Sequence, residues 1–124
     1  MKRLTLASSA LLLVAGCSSI NYAEHHFVST DELARASGWN SCSTSDERKT
    51  REMIGQYGFL SEPCSGGAVI IWASDAKRQE SHAQPWNALE AGECRIDGGN
   101  WTVTGTQYAV EDAQKRLGGA KTCA

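Results

Sequence analysis

Residues Tyr57–Ala73 read YGFLSEPCSGGAVIIWA, and this stretch decides the fold. Tyr57 to Cys64 and Ala68 to Ala73 are strand-like runs separated by Ser65-Gly66-Gly67, a glycine turn, so the segment is predicted to be a β-hairpin. Ser74 is placed to cap a helix over residues 75–83, which Pro85 ends or kinks. Trp86 to Ala91 adds a further turn, closed by Gly92. Working outward, Glu93 to Asp97, Gly98-Gly99 and Asn100 to Thr104 repeat the outline, and Thr106 then caps a helix. That helix carries Ala109, Val110, Ala113 and Leu117 on one face and stops at Gly118-Gly119. Both units run cysteine, glycine pair, strand, hydroxyl cap, helix, which suggests a degenerate ββα repeat; convergence explains the outline equally well. Upstream, Ser29 and Glu32 have capping-box spacing for a short helix ending at Gly38. Residues 43–56 are polar and read as a loop, with a turn or two of helix around 46–54. The expected fold is α+β: a four-stranded, mainly antiparallel sheet with helices on one face.

The chain has 124 residues, enough for one core and no second. With 41% hydrophobic and 21% charged residues it has the composition of a folded domain, not of a disordered tail. Its N-terminus has a different character. Met1-Lys2-Arg3 is a short positive segment, and Leu4 to Ala15 is an apolar run too short to span a bilayer, the pattern of a secretory signal. It ends Val14-Ala15-Gly16-Cys17, which resembles a bacterial lipobox. The resemblance implies that residues 1–16 are removed and that Cys17 becomes the first mature residue, joined to diacylglycerol and further acylated, for instance by palmitate. The alternative is an ordinary signal peptide in which Cys17 is incidental. Losing Lys2 and Arg3 leaves 10 basic against 14 acidic side chains, a balance that argues against nucleic acid as a partner.

The lipobox implies an exported protein anchored to the membrane through Cys17 and facing outward. In a two-membrane host, Ser18-Ser19 lacks the acidic residue that retains such proteins at the inner membrane, so the outer membrane is implied. Residues 17–28 then read as the lipidated tether, of which residues 18–28 reach at most about 40 Å, and 29–124 as the single domain. Export suits the cysteine count. Setting Cys17 aside leaves Cys42, Cys64, Cys94 and Cys123, an even set for an oxidising compartment. Four cysteines allow three pairings. Cys42–Cys64 and Cys94–Cys123 are favoured because each joins the end of a helical segment to an adjacent strand. A four-cysteine metal site lacks any C-x2-C spacing and would need thiols kept reduced outside the cell.

Ser29–Gly38, Cys42, Cys64, Val69–Trp72, Ser74-Asp75, Asn100–Val103 and Leu117–Gly119 together resemble small exported actinobacterial lipoproteins. The likeness covers roughly residues 29–119 and implies fold and address only, because such proteins share no agreed activity. Cys94 and Cys123 are not part of that pattern.

Catalytic constellations are sparse. Glu24-His25-His26 lies in the expected tether and supplies too few fixed ligands for a cation, so no metal or other cofactor is expected. Ser81 and His82 are consecutive on a helix and do not face each other, and His82 reads as an exposed helix residue. Glu90 and Glu93 read as a solvated helix end, and Trp39 and Trp86 as partial core or loop cover. No nucleophile elbow, phosphate loop or dinucleotide fingerprint occurs. One strand invites a sharper expectation. Ala68–Ala73 is apolar on both faces, whereas Asn100–Thr104 alternates. If Val69 and Ile71 share the core with Trp101 and Val103, Ile70 and Trp72 stand beside Thr102 and Thr104 on the open side, a tryptophan-centred binding patch. The alternative is that both faces are covered, by residues 43–56 or the opening helix. These features favour a non-enzymatic envelope lipoprotein that binds another protein near the membrane, as accessory subunits, small inhibitors and exclusion lipoproteins do. The competing reading is a small-molecule or metal-binding domain, or a minor hydrolase, with a pocket between sheet and helices.

Overall fold

The computed structural model describes residues 21–124; the leader and Cys17 lie outside them. The elements are α1 (Thr30–Ser37), α2 (Glu47–Tyr57), β1 (Phe59–Cys64), β2 (Gly67–Trp72), α3 (Asp75–His82), a 3-10 turn (Pro85–Asn87), β3 (Glu93–Asp97), β4 (Trp101–Thr106), α4 (Gln107–Leu117) and β5 (Ala120–Cys123). The strands form one antiparallel sheet in the order β1-β2-β4-β3-β5. No helix among the described residues is long and apolar enough to cross a membrane.

Local chemistry sets the helix ends. Ser29 accepts from the Glu32 amide at 3.0 Å, and the Glu32 carboxylate accepts from the Val28 amide at 3.2 Å. The capping box thus closes one residue further upstream than its usual partner. Asp46 accepts from the Lys49 amide at 2.9 Å and starts α2. This helix runs the eleven residues to Tyr57, where a loop with a turn or two was expected. Its polar sequence hides it, because only a narrow edge around Thr50 and Ile54 meets the rest of the protein.

The core lies between one sheet face and α1, α2 and α4. Val69 and Ile71 of β2, Ile96 of β3, and Trp101 and Val103 of β4 are fully buried there with Leu33, Val110, Ala113 and Leu117. The alternation expected of β2 and β4 therefore places the core side correctly. In the register Ile70 faces Thr102 and Val69 faces Val103.

Three further expectations need correction. The sheet has five strands, not four. After α4, Gly118 and Gly119 take positive φ (75° and 93°) and reverse the chain, so residues 120–123 pair with β3. A side chain at Gly119 would meet the Asp97 carbonyl oxygen at 2.9 Å, which makes glycine a requirement of this reversal. Second, α3 does not join the other helices; it lies on the opposite face of the sheet, against Trp72 and Asp97. The two hairpins are followed by helices on opposite faces, so the ββα similarity stops at the strands. The cause is composition: α3 has no buried residue and no apolar stripe to offer the core. Instead, Arg78 donates to the backbone carbonyls of Gly98 (2.7 Å), Trp101 (3.0 Å) and Gly99 (3.4 Å), pinning α3 to the β3–β4 turn.

Third, residues 22–28 are not a free tether. Tyr22 donates to the Leu117 carbonyl, and Gly99 donates to that of Ala23. Phe27 is buried, edge-on to Trp101 at 6.1 Å. The Asn100 side chain closes a two-bond clasp on Phe27, accepting from its amide and donating to its carbonyl, both at 2.9 Å.

Both favoured disulfides are present. Cys42–Cys64 ties the loop after α1 to the end of β1. Cys94–Cys123 joins register partners on β3 and β5, so it fastens a strand where a helix end was expected.

Candidate functional site

The far face of the sheet carries Phe59 and Ser61 (β1), Ile70 and Trp72 (β2), Thr102 and Thr104 (β4), and Arg95 and Asp97 (β3). The end bearing Trp72 is roofed by α3, and the remainder is a cleft flanked by α3 and residues 85–93. Towards β3 the cleft encloses about 290 Å³, with Ile70, Thr104, Arg95, Leu89, Glu90 and Glu93 in its lining. Towards β1 it continues as a space of about 530 Å³ lined by Phe59, Ser61, Lys77 and Glu80. Ile70, Trp72 and Trp86 border both parts, which makes them one cleft running across the strands.

Ile70 is half-buried on the floor, as the patch expectation requires, but Trp72 is only 4% exposed. The cover on Trp72 comes from α3, with the His82 ring edge-on at 5.5 Å, and from its β1 neighbour Phe59 at 5.6 Å. Neither residues 43–56 nor the opening helix provides it. The aromatic surface offered to solvent is Trp86, 77% exposed at the cleft rim and not the loop cover the sequence suggested. Its turn begins with Pro85 and is held by Asn87, which donates to the Ser81 carbonyl at 2.9 Å and hydroxyl at 3.1 Å. Trp39, by contrast, packs against the core and donates to the Ala109 carbonyl at 3.3 Å.

A polar relay stiffens the floor. Trp72 Nε1 donates to Thr102 Oγ1 at 2.9 Å, the Thr102 hydroxyl donates to Asp97, and His82 Nε2 lies 3.0 Å from the same carboxylate oxygen. His82 is thus a half-buried bond between α3 and β3, not an exposed helix residue; its side chain is 19% exposed. The position of His82 seven residues after Asp75 gave no signal of this, because the contact depends on α3 crossing to the far face. Ser81 and His82 share no hydrogen bond among the described residues, and the Ser81 hydroxyl instead accepts from Asn87. Glu90 and Glu93 flank the turn at residues 91–92, with Glu93 opening β3, and do not form a helix end. The Glu93 carboxylate accepts from the Glu90 amide at 2.8 Å, and the Glu93 amide donates to the Glu90 carbonyl at 2.9 Å.

Arg95 is the cleft residue that the sequence reading missed. Its side chain is 20% exposed, and its nearest carboxylate contact is Nε to Asp97 Oδ2 at 3.4 Å. Nε is buried without a hydrogen-bond partner, and no other guanidinium nitrogen makes one among the described residues. The period-two alternation of β3 put Arg95 on the far face; nothing local showed that its partners would be missing.

Elsewhere, His25 and His26 are exposed, and the His25 ring lies against Phe27 and Tyr22 at 4.5 and 5.5 Å. No group of three or more potential metal-ligating side chains gathers among the described residues. Compared with protein-family models, with curated proteins and with solved structures, the chain matches none.

Proposed function

We propose that this is a lipid-anchored envelope protein, exported and held at the membrane through Cys17, whose far-face cleft docks a segment of a partner protein. The observation that carries the reading is Trp86. A large aromatic side chain is held in the open, on a proline-started and side-chain-braced turn, above a half-apolar floor. Rigid aromatic anchors beside a concave surface are typical centres of protein interfaces. The docked segment 22–28 adds to the reading. If Cys17 is lipidated, the chain between it and Asn21 reaches at most about 14 Å, so the cleft would work against partners at the bilayer surface.

The test is chemical cross-linking of the full-length protein in its native membrane, followed by capture and mass spectrometry, with Trp86→Ala in parallel. Trp86 is exposed, so its removal leaves the core intact; replacing Trp72 would confound binding with folding. One recurrent envelope protein, lost in Trp86→Ala, is the expected result. The same set of abundant neighbours from both forms would overturn the reading. Cys17→Ser should release the protein from the membrane fraction.

A further inference from the structure

We propose that the cleft recognises the free C-terminus of its partner: a terminal carboxylate held by Arg95, an apolar last side chain on Ile70, and a basic side chain just before it, facing Glu90 and Glu93. The inference rests on the cleft being the docking surface and names the chemistry of what docks there.

Arg95 supplies the first argument. A guanidinium presents a planar fork of donors suited to two carboxylate oxygens, and burying it without partners is unfavourable. Here the Arg95 side chain is 20% exposed with its Nε buried and unbonded, and its one close carboxylate, on Asp97, already accepts from Thr102 and lies beside His82. A ligand carboxylate would provide the missing acceptors.

Shape supplies the second. The cleft crosses from β3, where Arg95 lies, over β4 and β2 to β1. Three inter-strand spacings make about 14 Å, which an extended peptide covers in about four residues. A linear ligand that begins at Arg95 and leaves past Trp86 uses that length; a compact one would not.

Charge supplies the third. Glu90 and Glu93 line the same part of the cleft as Arg95, so a ligand with only negative charge would be repelled. A carboxylate with a neighbouring cation matches both signs. In an extended peptide alternate side chains point apart, so an apolar last residue on the floor turns the one before it away from Ile70 and toward the wall.

The probe is the tetrapeptide acetyl-Gly-Gly-Lys-Leu with a free carboxylate, compared with its C-terminal amide and with acetyl-Gly-Gly-Glu-Leu. Each is titrated into the full-length protein in detergent micelles, with tryptophan fluorescence as the readout. The free acid should bind saturably, and the amide and the Glu peptide about tenfold more weakly or worse. Arg95→Gln should bring the acid down to the affinity of the amide while leaving the amide unchanged, a pattern that general damage to the cleft would not give. Arg95→Lys should fall between. Near-ultraviolet circular dichroism checks that each variant is folded. Equal affinity for acid and amide, equal weakening of both by Arg95→Gln, or no saturation by the acid at about 5 mM would each overturn the inference. If the recurrent cross-linked partner persists alongside such a result, the docking reading stands and only its chemistry is wrong. If both vanish, both fall.

Discussion

Asn100 shows how one side chain extends a domain. Its amide satisfies both backbone groups of Phe27, which a segment entering beside a sheet would otherwise leave to water or unpaired. Asn100→Ala should lower stability by about 1–3 kcal/mol in urea unfolding and expose residues 22–28 to proteolysis, because two buried-side partners are lost at once. A change within error, with the segment still protected, would show that Phe27 alone holds it. The docking was not legible in the sequence. Phe27 sits in a polar stretch with no period, and its partner lies seventy-three residues away. The core of the sheet was legible for the opposite reason: Trp101 and Val103 alternate with Thr102 and Thr104, and the two pairs do lie on opposite faces, although Thr102 is itself buried on the far one.

At the scale of elements, α3 and β5 mark where sequence reading stops. The helix itself was expected from its Ser74 cap, but its place on the far face was hidden, as was β5 altogether, because tertiary contacts and not periodicity decide both: α3 is held by Arg78 and His82, and β5 is four exposed residues placed by a glycine reversal and a disulfide. A helix held by polar contacts depends on their charge state. Arg78, by hydrogen bond and charge, holds the Asp75 carboxyl below its ordinary range, with a smaller contribution from Gln79. A carboxyl depressed on folding contributes stability above its unfolded pKa, near 4, and loses it as pH falls through the lower folded value. Hydrogen exchange of α3 amides should therefore accelerate below about pH 4 in the wild type, and Asp75→Asn should remove that dependence. Identical acid responses in both forms would assign the loosening elsewhere. Lys121 lowers the Glu111 carboxyl in the same sense, followed by Gln107, so the tie between α4 and β5 should weaken over the same acid range. For β5, Cys94→Ala with Cys123→Ala opens a loop spanning 29 positions and should lower stability by about 3–4 kcal/mol. Loss of under about 1 kcal/mol would mean that the ladder to β3 suffices without the bond.

The whole molecule is a sheet with two unlike faces. Among the described residues, three helices seal one face over an apolar core, while the other bears a single polar-anchored helix and an open cleft. Its two disulfides, spanning 22 and 29 positions, suit a domain of this size in an oxidising compartment. That division of labour is why the proposed binding surface is the far face. Of the two residues expected in an open patch, Ile70 lines the cleft floor, while Trp72 is covered by α3, which leaves Trp86 as the exposed aromatic. The most direct test puts a photoreactive benzophenone amino acid at position 86 or, as a control, at Arg48, an exposed position on α2 over the sealed face. Illuminated in the native membrane, position 86 should give one discrete adduct and position 48 none. Adducts of equal yield and identity from both positions would contradict a binding surface on the far face.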